Sequence, residues 1–253
     1  AIYQKVHQAI PDHSDVLHML GVVALQKGKG ATAEGFLLQA VALEPKNSNI
    51  LNNLGNSYYI QRKFQLAADI YQRASDEDIE GVDPLYNLGT ALYELGDFAG
   101  AVDKFQIVLA KNVDHLLARL NLGVCYKELK QYSEASDCFQ NILDTDPGHF
   151  DAAVNMANVK LATQDWDDAS ALFERAKELQ PEHAGIQLEL LKLAQRASDF
   201  DGVANYNAGL AKLLPNAVAH TKDWQFLASL AYQNIFNPLA VDMLAKVQQR
   251  FDE

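Results

Sequence analysis

Asn53, Asn87, Asn121 and Asn155 recur at intervals of 34 residues, each directly before a Leu-Gly pair or its equivalent. An asparagine side chain carries one carbonyl acceptor and two N–H donors. A row of them at fixed spacing can therefore meet both the N–H and the C=O groups of an extended peptide. Inside helices asparagine is mildly unfavourable, because its amide competes for backbone hydrogen bonds, so four in one phase call for a reason. Asn52, Asn56 and Asn158 fall nearby, and Tyr59, Tyr86 and Tyr93 bring aromatic rings to the same side. Together these ten residues form the expected peptide-binding set. Each hydrogen bond contributes about 0.5–1.5 kcal/mol net, and a micromolar complex needs about −8.2 kcal/mol. The ladder alone is marginal, so pockets near the tyrosines must supply the rest.

No other chemistry competes with this one. The sequence has no P-loop glycine pattern, dinucleotide fingerprint, HExxH or paired CxxC, so no catalytic residue, cofactor or metal is expected. His115, His149 and His183 repeat at 34, and His13 stands one period before Asn47. They occupy one inter-unit loop after another, too far apart to share a zinc ion whose ligands must lie within about 2.1 Å. Cys125 and Cys138 fall at mostly apolar slots on the two helices of one unit, as buried free thiols of a reducing compartment would.

The elements that must position the ladder follow from the same period. Leu20-Gly21, Leu54-Gly55, Leu88-Gly89 and Leu122-Gly123 are in phase, and Met156-Ala157, Leu190-Leu191 and Trp224-Gln225 continue it. A second series, Ala33, Ala67, Ala101, Ala135, Ala169 and Val203, keeps step, as does a third of Leu37, Tyr71, Phe105, Phe139, Phe173 and Asn207. Leu51, Leu54, Gly55 and Tyr58 share one helical face; Ala67, Tyr71 and Ala74 share another. Pro45, Pro147, Pro181 and Pro215 close four units, and Asp83-Pro84 reads as the N-cap and first turn of another. Each unit is thus a hairpin of two helices. One hairpin cannot bury its own apolar face, so neighbours must stack. The ladder lies on the first helices, turned away from the residues that pack within the hairpin.

The Leu-Gly slot, Tyr58 or Tyr126, Ala67, Tyr71, Ala74 and the closing proline resemble the tetratricopeptide repeat pattern. The resemblance implies an all-α, right-handed α-solenoid of stacked 34-residue helical hairpins, with the first helices lining its concave groove and a protein or peptide partner bound there. The asparagine ladder resembles the groove of the repeat domain of O-linked N-acetylglucosamine transferase. The carboxylate clamp of chaperone-binding members needs Lys and Arg beside the asparagines. Here those slots hold His18, Asn52, Tyr86, Leu120, Asp83 and Asp151, which disfavours it.

The expected organisation is 1–13 as the second helix of a truncated preceding repeat, 14–217 as six repeats, and 218–253 as a C-terminal capping or junction hairpin. In the last segment Trp224, Leu227, Ala231 and Ile235 share one helix face, and Leu239, Met243, Leu244, Val247 and Phe251 another. The sequence opens in mid-hairpin, with Tyr3 at an aromatic slot, as a piece of a longer protein would. The function expected is a protein-interaction module. The alternatives are the substrate-selecting domain of a larger enzyme, such as a glycosyltransferase or methyltransferase, and a scaffold that self-associates through its open N-terminal hairpin. Net charge is −12, with Asp76, Glu77, Asp78, Glu80 and Asp83 in one linker, which argues against nucleic acid or anionic membrane as partner. Neither a membrane span nor a targeting segment is visible, and the expected location is cytoplasmic.

Overall fold

The computed structural model describes residues 13–217; the expectations for 1–12 and 218–253 lie outside them. Among the described residues there are twelve helices and no strand. They are α1 Ser14–Gln26, α2 Gly30–Leu43, α3 Ser48–Ile60, α4 Phe64–Glu77, α5 Asp83–Glu94, α6 Phe98–Lys111, α7 Leu116–Glu128, α8 Tyr132–Thr145, α9 Phe150–Ala162, α10 Trp166–Leu179, α11 Ala184–Ala197 and α12 Phe200–Ala217. The fold is the all-α hairpin solenoid that the period predicts. It divides into two compact units, one running to Val159 and the other from Lys160.

In the first unit, α1 pairs with α2, α3 with α4, α5 with α6 and α7 with α8; α2, α4 and α6 then pack on the first helices of the next hairpins, α3, α5 and α7. The first helices also touch one another, α1 on α3, α3 on α5 and α5 on α7. Tyr71, Phe105 and Phe139 are fully buried, each contributing roughly 1.5–3 kcal/mol by leaving water. They lie against the glycines of the first helices. A Cβ on Gly89 would stand 2.8 Å from Phe105 Cε1, one on Gly123 2.7 Å from Phe139 Cε1, and one on Gly55 would strike the Tyr71 ring. The Leu-Gly slot is therefore a crossing point.

In the second unit, α10 packs on α11 and α11 on α12. Here the slots change hands. Leu191 takes the glycine position and is buried, joined by Leu188 and Leu210, with Val203 and Tyr206 against them. Bulk on α11 replaces the aromatic ring that the second, third and fourth hairpins set opposite a glycine.

The turn inside each hairpin is the same six times. Gly28, Arg62, Gly96, Lys130, Gln164 and Ser198, again 34 apart, all have left-handed backbones, with φ between 58° and 80°. The following N–H reaches back five residues, Lys29 to Ala24, Lys63 to Tyr58, Asp97 to Leu92, Gln131 to Tyr126, Asp165 to Lys160 and Asp199 to Ala194. This is the Schellman closure of a helix C-terminus. Only two of the six are glycine, so helix packing on both sides enforces the turn.

The turns between hairpins use a different device. Asn47 Oδ1 accepts from the N–H of Ile50, and the Nδ1 atoms of His115, His149 and His183 accept from Ala118, Ala152 and Ile186 at 3.1–3.3 Å. The periodic histidines are N-caps, each satisfying one orphan donor of the following helix. Two local expectations shift. Val82, not Asp83, holds the cap position of α5, and Pro84 is its second residue, a displacement within the usual uncertainty of a helix end. Pro45, Pro147 and Pro181 each follow a helix end by two residues, but α12 runs on through position 215 to Ala217.

Candidate peptide-binding face

All of the expected site residues lie on first helices of the first unit: Asn52, Asn53, Asn56 and Tyr59 on α3, Tyr86, Asn87 and Tyr93 on α5, Asn121 on α7, and Asn155 and Asn158 on α9. Each is half-buried. The four ladder asparagines do not behave alike. Asn53 Nδ2 lies 2.8 Å from His18 Nε2, Asn87 Nδ2 donates to Asn52 Oδ1 at 2.9 Å, and Asn121 Nδ2 donates to the Tyr86 hydroxyl at 3.1 Å. Each partner stands 35 residues earlier, on the preceding first helix. The fourth rung fails, because 35 residues before Asn155 stands Leu120, which can accept nothing. Asn155 instead donates to the Asp151 carbonyl of its own helix at 2.9 Å and accepts from Lys127 Nζ at 3.3 Å.

The sequence reading missed these lateral bonds. They leave unequal capacity for a ligand. Asn53 Oδ1 already accepts from Asn56 Nδ2 at 3.4 Å, and Asn56 Oδ1 accepts from the buried Tyr71 hydroxyl at 2.7 Å. That end of the face is a closed chain from His18 to Tyr71. Burial lowers the His18 pKa, against an opposing pull from Asp15 and Glu44. A neutral imidazole with a bare Nε2 is what the Asn53 amide requires. By contrast, the carbonyls of Asn87 and Asn121 accept from no group among the described residues, and each amide keeps its second N–H.

The tyrosines are held firmly. Tyr86 stacks on His115 with ring centroids 5.0 Å apart and tilts against Phe105 at 5.8 Å. Tyr59 packs edge-on to Phe64 and donates to Glu94 Oε1 at 3.3 Å, again one repeat and one residue along the chain. Burial first, then the Glu94 carboxylate, pushes the Tyr59 phenol up to about 12. Tyr93 packs on Phe98 at 5.3 Å. It also opens onto a cleft of about 190 Å³ lined by Thr90, Tyr93, Glu94, Phe105, Asn121 and Val124. Thr90, Glu94 and Val124 carried no obvious signal in the sequence. They become neighbours only because α5 and α7 lie side by side.

Nothing on this face resembles a catalytic constellation. Burial pushes the Cys125 and Cys138 thiols up to about 12 and about 11, which leaves both as thiols rather than nucleophilic thiolates. Among the described residues no three His, Cys, Asp or Glu side chains cluster as a metal site would need, and no helix is long and apolar enough to cross a membrane.

Comparison with known families is consistent with this geometry. Models of the tetratricopeptide repeat match residues 6–81 and 86–150, and a second such model matches 137–192. The chain belongs to the tetratricopeptide repeat family. Members of this family are generally protein-interaction modules rather than catalysts. Solved structures of the same fold include YrrB, described as a tetratricopeptide repeat protein with an unusual peptide-binding site; it is 22% identical, with 79% of this chain and 99% of that one covered and a TM-score of 0.63. PilF of Pseudomonas aeruginosa is 21% identical over 85% and 96% of the two chains, TM-score 0.68. A tetratricopeptide repeat protein of Parabacteroides merdae is 23% identical over 80% and 79%, TM-score 0.69. No curated protein matches the sequence.

Proposed function

We propose that this tetratricopeptide repeat chain binds an extended segment of a partner protein along the first-helix face of residues 14–159, in the groove that the family pattern assigns to these helices. The observation that carries the reading is the spare hydrogen-bonding capacity of Asn87 and Asn121. Each keeps an amide carbonyl and one N–H without a partner among the described residues, on consecutive repeats, and Asn121 lines a cleft of side-chain size. Asn53 and Asn155 contribute their second N–H groups at the two ends, with Asn52, Asn56, Asn158 and the tyrosines as flanking contacts. The peptide-binding site of YrrB supports peptide binding as work that this fold performs.

A grip on backbone groups depends weakly on peptide sequence, and it depends weakly on salt, unlike a clamp built from charges. Retention of a random peptide library on the immobilised protein tests this. Combined Asn87→Ala and Asn121→Ala substitution is expected to lower retention several-fold while helicity is kept. Equal retention by the folded double variant refutes the reading.

A further inference from the structure

The cleft beside Asn121 has a chemistry of its own. Its floor is Phe105, fully buried, and its apolar walls are Tyr93 and Val124. At about 190 Å³ it is smaller than the roughly 300 Å³ at which small-molecule pockets begin, so one long side chain suits it better than a cofactor. Of the polar groups around it, the Glu94 carboxylate and the Thr90 oxygen offer acceptors only, while Asn121 and the Tyr93 hydroxyl can both accept and donate. Asn121 offers a carbonyl oxygen without a partner among the described residues, its amide already giving one N–H to Tyr86. Thr90 spends its own proton on the Tyr86 carbonyl at 3.0 Å, leaving lone pairs outward. Glu94 is an exposed carboxylate that accepts from the Tyr59 hydroxyl and is paired with no Lys or Arg among the described residues.

Charge points the same way. Both Glu94 and Glu128 lie near enough to Tyr93 to help raise its phenol pKa, after burial as the larger cause. Of the two cations on α7, Lys127 is taken up by Glu128 at 3.5 Å and by Asn155 and Arg119 donates to the Val113 carbonyl, and no Lys or Arg lines the cleft. An occupant that answers the Glu94 carboxylate and this excess of acceptors needs an apolar stem, several donors and a positive charge. Lysine and arginine are the side chains with that inventory, and an aromatic wall adds attraction for a cation.

We infer that the cleft between α5 and α7 receives a lysine or arginine side chain of the bound peptide, its stem against Phe105, Tyr93 and Val124 and its cation at Glu94. This rests on the peptide reading above and adds a sequence preference to it. The bound partner is then a basic segment, in keeping with the chain's net charge of −12.

The test uses random peptide libraries that differ only at one fixed central residue: lysine, arginine, arginine's neutral isostere citrulline, norleucine or glutamate. Retention of the arginine and lysine libraries on the immobilised full chain is expected to exceed that of citrulline and norleucine by about tenfold, the size of one charge-assisted hydrogen bond. Glu94→Gln should bring arginine down to citrulline, and Glu94→Lys should favour the glutamate library. Glu94 is exposed, so both variants should keep the wild-type helicity. If norleucine matches arginine on the wild type, or Glu94→Gln leaves the preference intact, the inference is overturned while peptide binding stands. If no library is retained, both readings fall.

Discussion

The bond between Asn87 and Asn52 is the sharpest test of how the hairpins are tied. Replacing Asn87 with Ala removes an N–H···O contact of 2.9 Å between α5 and α3. A neutral hydrogen bond of this kind contributes about 0.5–1.5 kcal/mol net. Both residues are half-buried, so water can replace the lost partner and the lower half of that range applies. The single substitution will understate even this. Alanine is the better helix former by several tenths of a kcal/mol, a gain that offsets the loss on each helix. A double-mutant cycle with Asn52→Ala cancels the propensity change and isolates the pair. We expect a coupling of about 0.5–1 kcal/mol, read from urea unfolding fitted with a nearest-neighbour repeat model because arrays of repeats depart from two-state behaviour. The internal control is the cycle of Asn155→Ala with Leu120→Ala, where no lateral bond exists and the coupling should be near zero. If the two cycles give the same coupling, the ladder bonds are not part of what holds adjacent hairpins together.

Glycine substitutions should split by sign. Gly89→Ala drives a Cβ into the buried Phe105 ring and should cost about 1–3 kcal/mol, whereas Gly35→Ala in α2 meets nothing within 4 Å and should gain about 0.5–1 kcal/mol; thermal melts decide both. His18 predicts a pH dependence. Its folded pKa is below the ordinary 6.5 because burial disfavours the imidazolium, so the unfolded chain takes up the proton first. The stability it contributes is complete above pH 6.5 and falls as pH drops from there toward the lowered folded value. His18→Gln keeps an acceptor for Asn53 without titrating, so the wild type should lose stability relative to the variant across that window. Parallel pH profiles for the two proteins would contradict the assignment.

The periodic features were legible in the sequence because small and aromatic slots must recur wherever helices cross at the same depth, as Gly89 and Phe105 show. The ladder was legible as a position but not as a set of bonds. Its four asparagines look equivalent until each is paired with the residue 35 before it, and His18, Asn52, Tyr86 and Leu120 differ in whether they can accept. The caps at His115, His149 and His183 were hidden by residue type. The clue was their phase with Asn47, an ordinary capping residue. The left-handed turns were hidden for the opposite reason: Arg62, Lys130, Gln164 and Ser198 carry none of the glycine that usually marks such a backbone. The cleft at Tyr93 depends on which helices become neighbours, which composition along one helix does not specify.

The lateral bonds also carry information about order. Every rung points backward, from an asparagine donor to an acceptor on the hairpin before it, so the stack has a direction independent of the covalent chain. The two ends of the series are blank: Met19 fills the donor slot of the first hairpin, and Leu120 fills the acceptor slot of the fourth. Among these four hairpins the first can only lead and the fourth can only finish if all three rungs are to form. Exchanging the second and third keeps three donor–acceptor pairs, while any permutation that moves an end unit inward breaks at least one. The identity of the two end hairpins is thus written twice, once in the peptide bonds and once in the amides between helices. A chain shuffled so that either end hairpin stands inside would keep its hairpins intact and still lack the second copy.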